Sequence, residues 1–152
     1  MKNPDPLPPL LLREGTAADA EFIYRVVETT MRGYVEKIWG SFSEDYNRKN
    51  IADTLAAGIY SIIQLDDHDI GALAVERHPS HIQLVQMYIL PSHQNRGIGT
   101  RLVRELAREA KESGRPLRLR VLTVNPARRL YEREGFQVTS TTPERVFMER
   151  PA

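Results

Sequence analysis

The chain has no cysteine and a single tryptophan among its 152 residues. The missing cysteine excludes disulfides, thiol nucleophiles and any Cys-based metal site. It also fits a reducing cytoplasm, the expected compartment. Long apolar runs are missing as well: no stretch approaches the ~20 residues a membrane helix needs. Pro4, Pro6, Pro8 and Pro9 break up the N-terminus where a secretory signal needs an apolar core. Neither sign of charge is in excess, since 21 Lys and Arg stand against 20 Asp and Glu, a formal +1. With no basic, aromatic-interleaved stripe, nucleic acid is not an expected partner, nor is a membrane. No metal is expected.

What is present is an ordinary globular composition, 41% hydrophobic and 27% charged. Residues 1–9 read as a flexible tail and residues 10–152 as a single domain. Residues 10–13 predict a short buried strand. Thr16 with Asp19 makes a capping box for a helix ending near Thr30 or Tyr34, and residues 34–40 read as an aromatic-rich turn or broken helix after Gly33. Ser41 with Glu44 reads as a second capping box, for a helix over residues 43–55. Strands are predicted over residues 59–65 and 70–76, joined at Asp66-Asp67-His68-Asp69, and over residues 82–90. A third helix starts at Gly97 or Gly99 and stops near Ser113-Gly114. Residues 117–123 alternate as a strand, Asn125-Pro126 opens a short helix with Asn as cap, and Gly135 ends it. Residues 136–141 and 145–149 are the last strands. A hairpin meander feeding a crossover helix predicts an α/β mixed sheet with helices on both faces.

One stretch differs from the rest. From Pro91 to Arg104 there is no Asp or Glu, while Arg96, Arg101 and Arg104 are present. The two helices before it carry acids in their first turn, Asp19 and Glu21 after Thr16, and Glu44 and Asp45 after Ser41, but the Gly97 helix has none before Glu105. A strand, a polar turn and a glycine-rich helix start present free N–H groups and the positive end of the helix dipole, a setting for phosphate. The P-loop spacing is absent, and Leu102 stands where the dinucleotide fingerprint needs its third glycine.

Gln94-Asn95-Arg96-Gly97-Ile98-Gly99 matches the Q/R-x-x-G-x-G/A signature and, with the lead-in Met87-Tyr88-Ile89-Leu90-Pro91, resembles the GCN5-related N-acetyltransferases (GNAT). The run Asn125-Pro126-Ala127-Arg128-Arg129-Leu130-Tyr131-Glu132-Arg133-Glu134-Gly135-Phe136 is similar to that family's N-x-x-A-x-x-L-Y-x-x-x-G-F pattern, with the Ala displaced by one place. The two motifs stand in the family's order. The resemblance implies a twisted, mostly antiparallel sheet whose one parallel strand pair splays apart to admit a pantetheine arm. It implies acetyl-coenzyme A as cosubstrate, with loop amides on the pyrophosphate. The cofactor contacts implied are Met87, Tyr88, Ile89, Gln94, Asn95, Arg96, Gly97, Ile98, Gly99, Thr100, Asn125, Arg128 and Tyr131. Many members are dimers, so a homodimer is among the expectations.

The implied reaction is direct attack of a primary amine on the thioester in a ternary complex. The backbone N–H of Ile89 or Tyr88 is the candidate donor to the oxyanion. Tyr131 is the candidate donor to the leaving sulfur. A tyrosine with pKa ~10 transfers its proton to a thiolate of pKa ~8.5 uphill by roughly 2 kcal/mol, which favours a hydrogen bond over full transfer. The base is open: the strand position some members fill with Glu holds Gln83, and Glu28, Glu36, Glu76, His78 and His81 are substitutes by type only. Substrate identity falls to the first two helices, where Glu28, Tyr34 and Trp39, with Gln83, are candidate contacts. The acceptor is a small-molecule amine or a peptide or protein amine. The rival readings are a coenzyme A-binding module without turnover and a transferase of another acyl group.

Overall fold

The computed structural model describes residues 9–152. The expected flexible segment, apart from Pro9, lies outside the described residues. Seven strands form one sheet: β1 (Leu10–Glu14), β2 (Tyr60–Leu65), β3 (His68–Arg77), β4 (Ile82–Ile89), β5 (Leu117–Leu122), β6 (Gln137–Thr141) and β7 (Arg145–Arg150). Their spatial order is β1-β2-β3-β4-β5-β7-β6. All neighbours are antiparallel except β4 and β5, which run parallel. The helices are α1 (Ala20–Trp39), α2 (Glu44–Ala56), α3 (Ile98–Glu112) and α4 (Arg128–Arg133).

The sheet separates two apolar cores. On one face α1 and α2 bury Ile23, Tyr24, Val27 and Ile51 against Ile62, Ala72 and Ala74. On the other, α3 buries Ile98, Leu102, Val103, Leu106 and Ala110 against Leu84, Leu117, Leu119 and Met148. Each such Leu, Ile or Val contributes about 1.5–3 kcal/mol by leaving water. The two-sided burial explains why β3 is apolar without alternation: residues 70–75 are all buried.

Three expectations are corrected. Gly33 does not break α1, which runs on to Trp39 and ends at Gly40, whose φ of 84° lies in the left-handed region. A mid-helix glycine costs about 1 kcal/mol, less than the packing of the helix returns. The cap of α2 is Ser43, whose side chain accepts from the Tyr46 N–H at 3.1 Å, and not Ser41. Strand β1 is an edge strand rather than a buried one, with Leu11 and Leu12 exposed. The Thr16–Asp19 capping box is present on a short 3-10 turn before α1. There Arg13 pairs with the Asp19 carboxylate at 2.8 Å.

Candidate active site

Strands β4 and β5 pair over three residue pairs, Ile82–Leu117, Gln83–Arg118 and Leu84–Leu119, and then part. The parting starts at a β-bulge. Gln86 and Leu84 of β4 stand opposite Ala74 and Val75 of β3, so Val85 is an extra residue. The bulge changes the phase of the strand. Ile82 and Leu84 face the α3 core, but Val85 and Tyr88 turn to the α1–α2 side, and Met87 and Ile89 face α3.

Backbone polarity follows from the register. The Leu90 N–H donates to the Ile70 carbonyl at 2.8 Å, toward β3. Alternation along the strand therefore turns the Tyr88 N–H toward β3 as well, and the Ile89 N–H toward the gap that β5 has left. The Ile89 carbonyl also faces that gap and accepts from the Gln94 side chain at 2.8 Å, which fastens the following loop to the strand end.

That loop is built from left-handed residues. Asn95 has φ 62° and Gly97 φ 80°. No backbone N–H of residues 95–100 donates to an acceptor in the chain, among the described residues. A row of free N–H groups therefore heads a 15-residue helix whose first turn holds no acid. Gly99 lies under Met87 and Leu130: a Cβ there would sit 3.4 Å from each side-chain end. Ile98 is anchored in the core at 1% exposure, so its side chain fixes the loop while its amide stays free.

Across the gap, Asn125 and Tyr131 come from the loop and helix after β5. The Asn125 side chain accepts from the Ala127 N–H at 2.9 Å, the cap expected of it, although regular helix begins only at Arg128. The Tyr131 ring is buried edge-on to Phe136, centroids 5.6 Å apart. Its hydroxyl has no hydrogen-bond partner among the described residues and is not sealed in the core, so it opens on the cavity. Burial, then the nearby Tyr88, pushes the Tyr131 hydroxyl well above its ordinary value. Burial likewise pushes Tyr88 up to about 12, with Arg120 pulling in the opposite direction. Tyr60, also raised by burial, donates its hydroxyl to Gln86.

One cavity of about 590 Å³ joins Gln86, Tyr88, Arg120, Asn125 and Tyr131. Its wall includes Met87, Tyr88, Asn125 and Tyr131, and continues under α1 and α2 through Val27, Met31 and Trp39. Of the four candidate substrate contacts, Trp39 lines it. Glu28 does not: it accepts from the Tyr24 hydroxyl and pairs with Arg32. Tyr34 lies outside the wall, and Gln83 sits at the closed end of the β4–β5 pair. The residue the bulge brings to the cavity is Gln86. Arg128 is exposed and paired with Glu132 at 2.6 Å, and Arg96 is exposed. A shallower hollow of about 410 Å³ runs from Gly97 and Thr100 along Arg101, Arg104 and Arg108. Sequence reasoning missed Gln86, Arg120 and Arg145, all in the main cavity wall.

A seven-stranded mixed sheet with one splayed parallel pair, and a free helix N-terminus beside the gap, is the acetyltransferase architecture. The acetyltransferase (GNAT) domain family matches residues 56–138. The chain belongs to that family. No curated protein sequence matches it. Among solved structures it is similar to an acetyltransferase from Thermus thermophilus, 19% identical, TM-score 0.75, covering 94% of this chain and 97% of that one. It is similar to the PaiA N-acetyltransferase of Thermoplasma acidophilum in complex with coenzyme A, 20% identical, TM-score 0.72, covering 95% and 99%. Naa50 of Arabidopsis thaliana, in complex with the bisubstrate analogue CoA-Ac-MVNAL, is 16% identical with TM-score 0.70, covering 94% and 99%. At these identities the likeness speaks for the fold. Among the described residues no helix is long and apolar enough to cross a membrane.

Proposed function

We propose that the protein is an N-acetyltransferase that moves an acetyl group from acetyl-coenzyme A to a primary amine by direct attack within a ternary complex. The observation that carries this is the closeness of two unsatisfied features: the free amides of residues 95–100, where Gly99 packs on Met87 and Leu130, and the partnerless Tyr131 hydroxyl in the cavity that Met87 also lines. The amides fit a pyrophosphate: they are free, they head a helix, and the first turn of that helix carries no acid.

Acetyl-coenzyme A supplies a thioester carbonyl and a thiol leaving group. The chain supplies the rest. The loop amides grip the phosphates, and Gln94 holds the loop to β4 so that grip and strand move as one. The Ile89 N–H, aimed into the gap, donates to the carbonyl oxygen as it gains charge. The register favours Ile89 over Tyr88 for this role. The Asn125 side chain, its oxygen held by its own turn, keeps its amide N–H groups for the cofactor arm. The Tyr131 hydroxyl donates to the departing sulfur.

Among the described residues no Asp, Glu or His lies in the cavity wall. Tyr60, Tyr88 and Tyr131 are all raised, so at neutral pH they are donors and not bases. The amine therefore sheds its proton to water before attack, and the cationic wall favours that loss by disfavouring an ammonium. Calorimetric titration with acetyl-coenzyme A tests the core of this reading. One-to-one micromolar binding is expected in the native chain, and none in Gly99→Glu, whose side chain starts 3.4 Å from Met87 and Leu130 and forces a carboxylate into the contact that seats the loop. Absence of binding in the native chain, or equal binding in the variant, overturns it.

A further inference from the structure

The wall of the main cavity is unusual in charge. The chain as a whole balances 21 basic against 20 acidic residues, yet among the described residues the cavity wall holds Arg120 and Arg145 and no carboxylate. The register shows why both arginines are free. Strands β5 and β7 pair Arg118 with Glu149, Arg120 with Phe147, and Leu122 with Arg145. On the first rung the charges meet, Arg118 to Glu149 at 2.7 Å. On the other two rungs each arginine faces an apolar partner. No salt bridge or side-chain hydrogen bond engages either guanidinium among the described residues. Arg145 instead stacks on the Trp39 ring, 5.3 Å from its centroid, which fixes it at the end of α1.

Alternation places Arg120, Leu122 and Arg145 on one face of the sheet. Leu119 and Val121 face the α3 core, so the arginines face α1 and α2. Arg120 also acts on the Tyr88 hydroxyl, which lies on that side. The phosphate grip at the start of α3 is on the opposite face. An anion at Arg120 and Arg145 is therefore not a coenzyme phosphate. The two arginines stand on diagonal positions of neighbouring strands, their backbones roughly 7–8 Å apart, so that both side chains can reach one anion on that face.

We propose that the acceptor is an amine carrying a carboxylate, the chemistry of an amino acid, with Arg120 and Arg145 holding the carboxylate while the amine reaches the gap between Ile89 and Tyr131. This rests on the acetyltransferase reading and deepens it. A guanidinium fork matches a planar carboxylate, and the apolar wall of Val27, Met31 and Ile51 accommodates a hydrophobic side chain. A polyamine, with several positive charges, is the acceptor this wall disfavours.

The test compares leucine, methionine and phenylalanine as free acids with the same three as amides, beside spermidine and phosphoethanolamine. Thiol release reads turnover. Calorimetry on the coenzyme A-saturated protein reads acceptor binding without it. The free acids are expected to bind and react best. Arg120→Gln and Arg145→Gln should each shrink the acid-over-amide ratio by about tenfold to a hundredfold, mostly through KM, with coenzyme affinity within twofold. Free acids that bind through the arginines without any turnover would keep this proposal and sink the enzyme reading. Turnover of amides, spermidine or phosphoethanolamine as good as that of the acids would sink the proposal and keep the enzyme. An acid-over-amide ratio indifferent to both variants, or no acceptor bound at all, overturns it as well.

Discussion

Removing one oxygen from Tyr131 separates a chemical role from a structural one. In Tyr131→Phe the ring remains edge-on to Phe136, and no hydrogen bond among the described residues is lost because the hydroxyl has no partner there. Folding stability should therefore change by less than about 0.5 kcal/mol, the range of a substitution that breaks no packed or paired group. The rate should change far more. The hydroxyl is pushed above its ordinary value by burial, so passing its proton fully to a thiolate is uphill by more than the roughly 2 kcal/mol of the reference groups. Its contribution is then a hydrogen bond to growing negative charge. Positioned proton donors of this kind give about 10²–10⁴ in rate, and the uphill transfer sets the expectation at the lower end, about a hundredfold, or roughly 2.7 kcal/mol. Thiol release with a reactive amine measures kcat, and calorimetry measures coenzyme affinity, which should stay within a few-fold. A kcat within threefold of the native value would refute the role. A large drop in melting temperature would refute the claim that the hydroxyl has no structural part.

Other outcomes follow from the same geometry. Gly71→Ala should destabilise the chain by about 1–3 kcal/mol in denaturant melts and slow turnover, because the new Cβ runs into the Tyr88 carbonyl on the strand that lines the gap; an unchanged midpoint would contradict it. With no Asp, Glu or His in the cavity wall among the described residues, kcat/KM should climb with pH along the amine's own titration and show no falling limb below about pH 10, since Tyr88 and Tyr131 keep their protons. A rising limb with one midpoint for amines of different basicity would reveal a base on the protein. The Asp19 carboxyl is held below its ordinary value first by the hydrogen bond from Arg13. Its stabilisation is thus complete above the unfolded value of about 3.9 and fades as pH falls through the lower folded value. Asp19→Asn should lower the melting temperature at pH 7 and lose that deficit toward pH 2; an equal deficit at both would sink the linkage.

The strand and helix order could be read from sequence because its signals are local: apolar periodicity, turn residues at Asp66-Asp67, and glycine stops. Competing local signals failed where packing decided, as at Gly33, which α1 absorbs, and at Ser43, which outcompetes Ser41 as cap. Gln94, Asn125 and Tyr131 could be named because two motifs with fixed internal spacing carry them. Gln86 was hidden by the bulge at Val85, which shifts the phase of β4 and leaves Gln83 at the closed end. Arg120 and Arg145 were hidden for a different reason. Alternating Leu and Arg in residues 117–120 reads as a solvated face. Only the pairing of β5 with β7, which do not follow one another in the chain, shows that Arg118 meets an acid and the others do not.

The three residue pairs that join β4 to β5 have a mechanical meaning. They are the narrow hydrogen-bonded seam between two half-sheets, β1 to β4 carrying α1 and α2, and β5 to β7 carrying α4, with α3 packed across both. Cooperativity of unfolding must cross that seam, so the amides bordering it should exchange with solvent well before those of β3. A ligand bound at a hundred times its Kd adds about 2.7 kcal/mol to the folded state, about 8 °C for a chain of this length. One that grips both banks of the gap adds that energy where the sheet itself has only three rungs, and reinforces from the strand ends the join that α3 holds through the core.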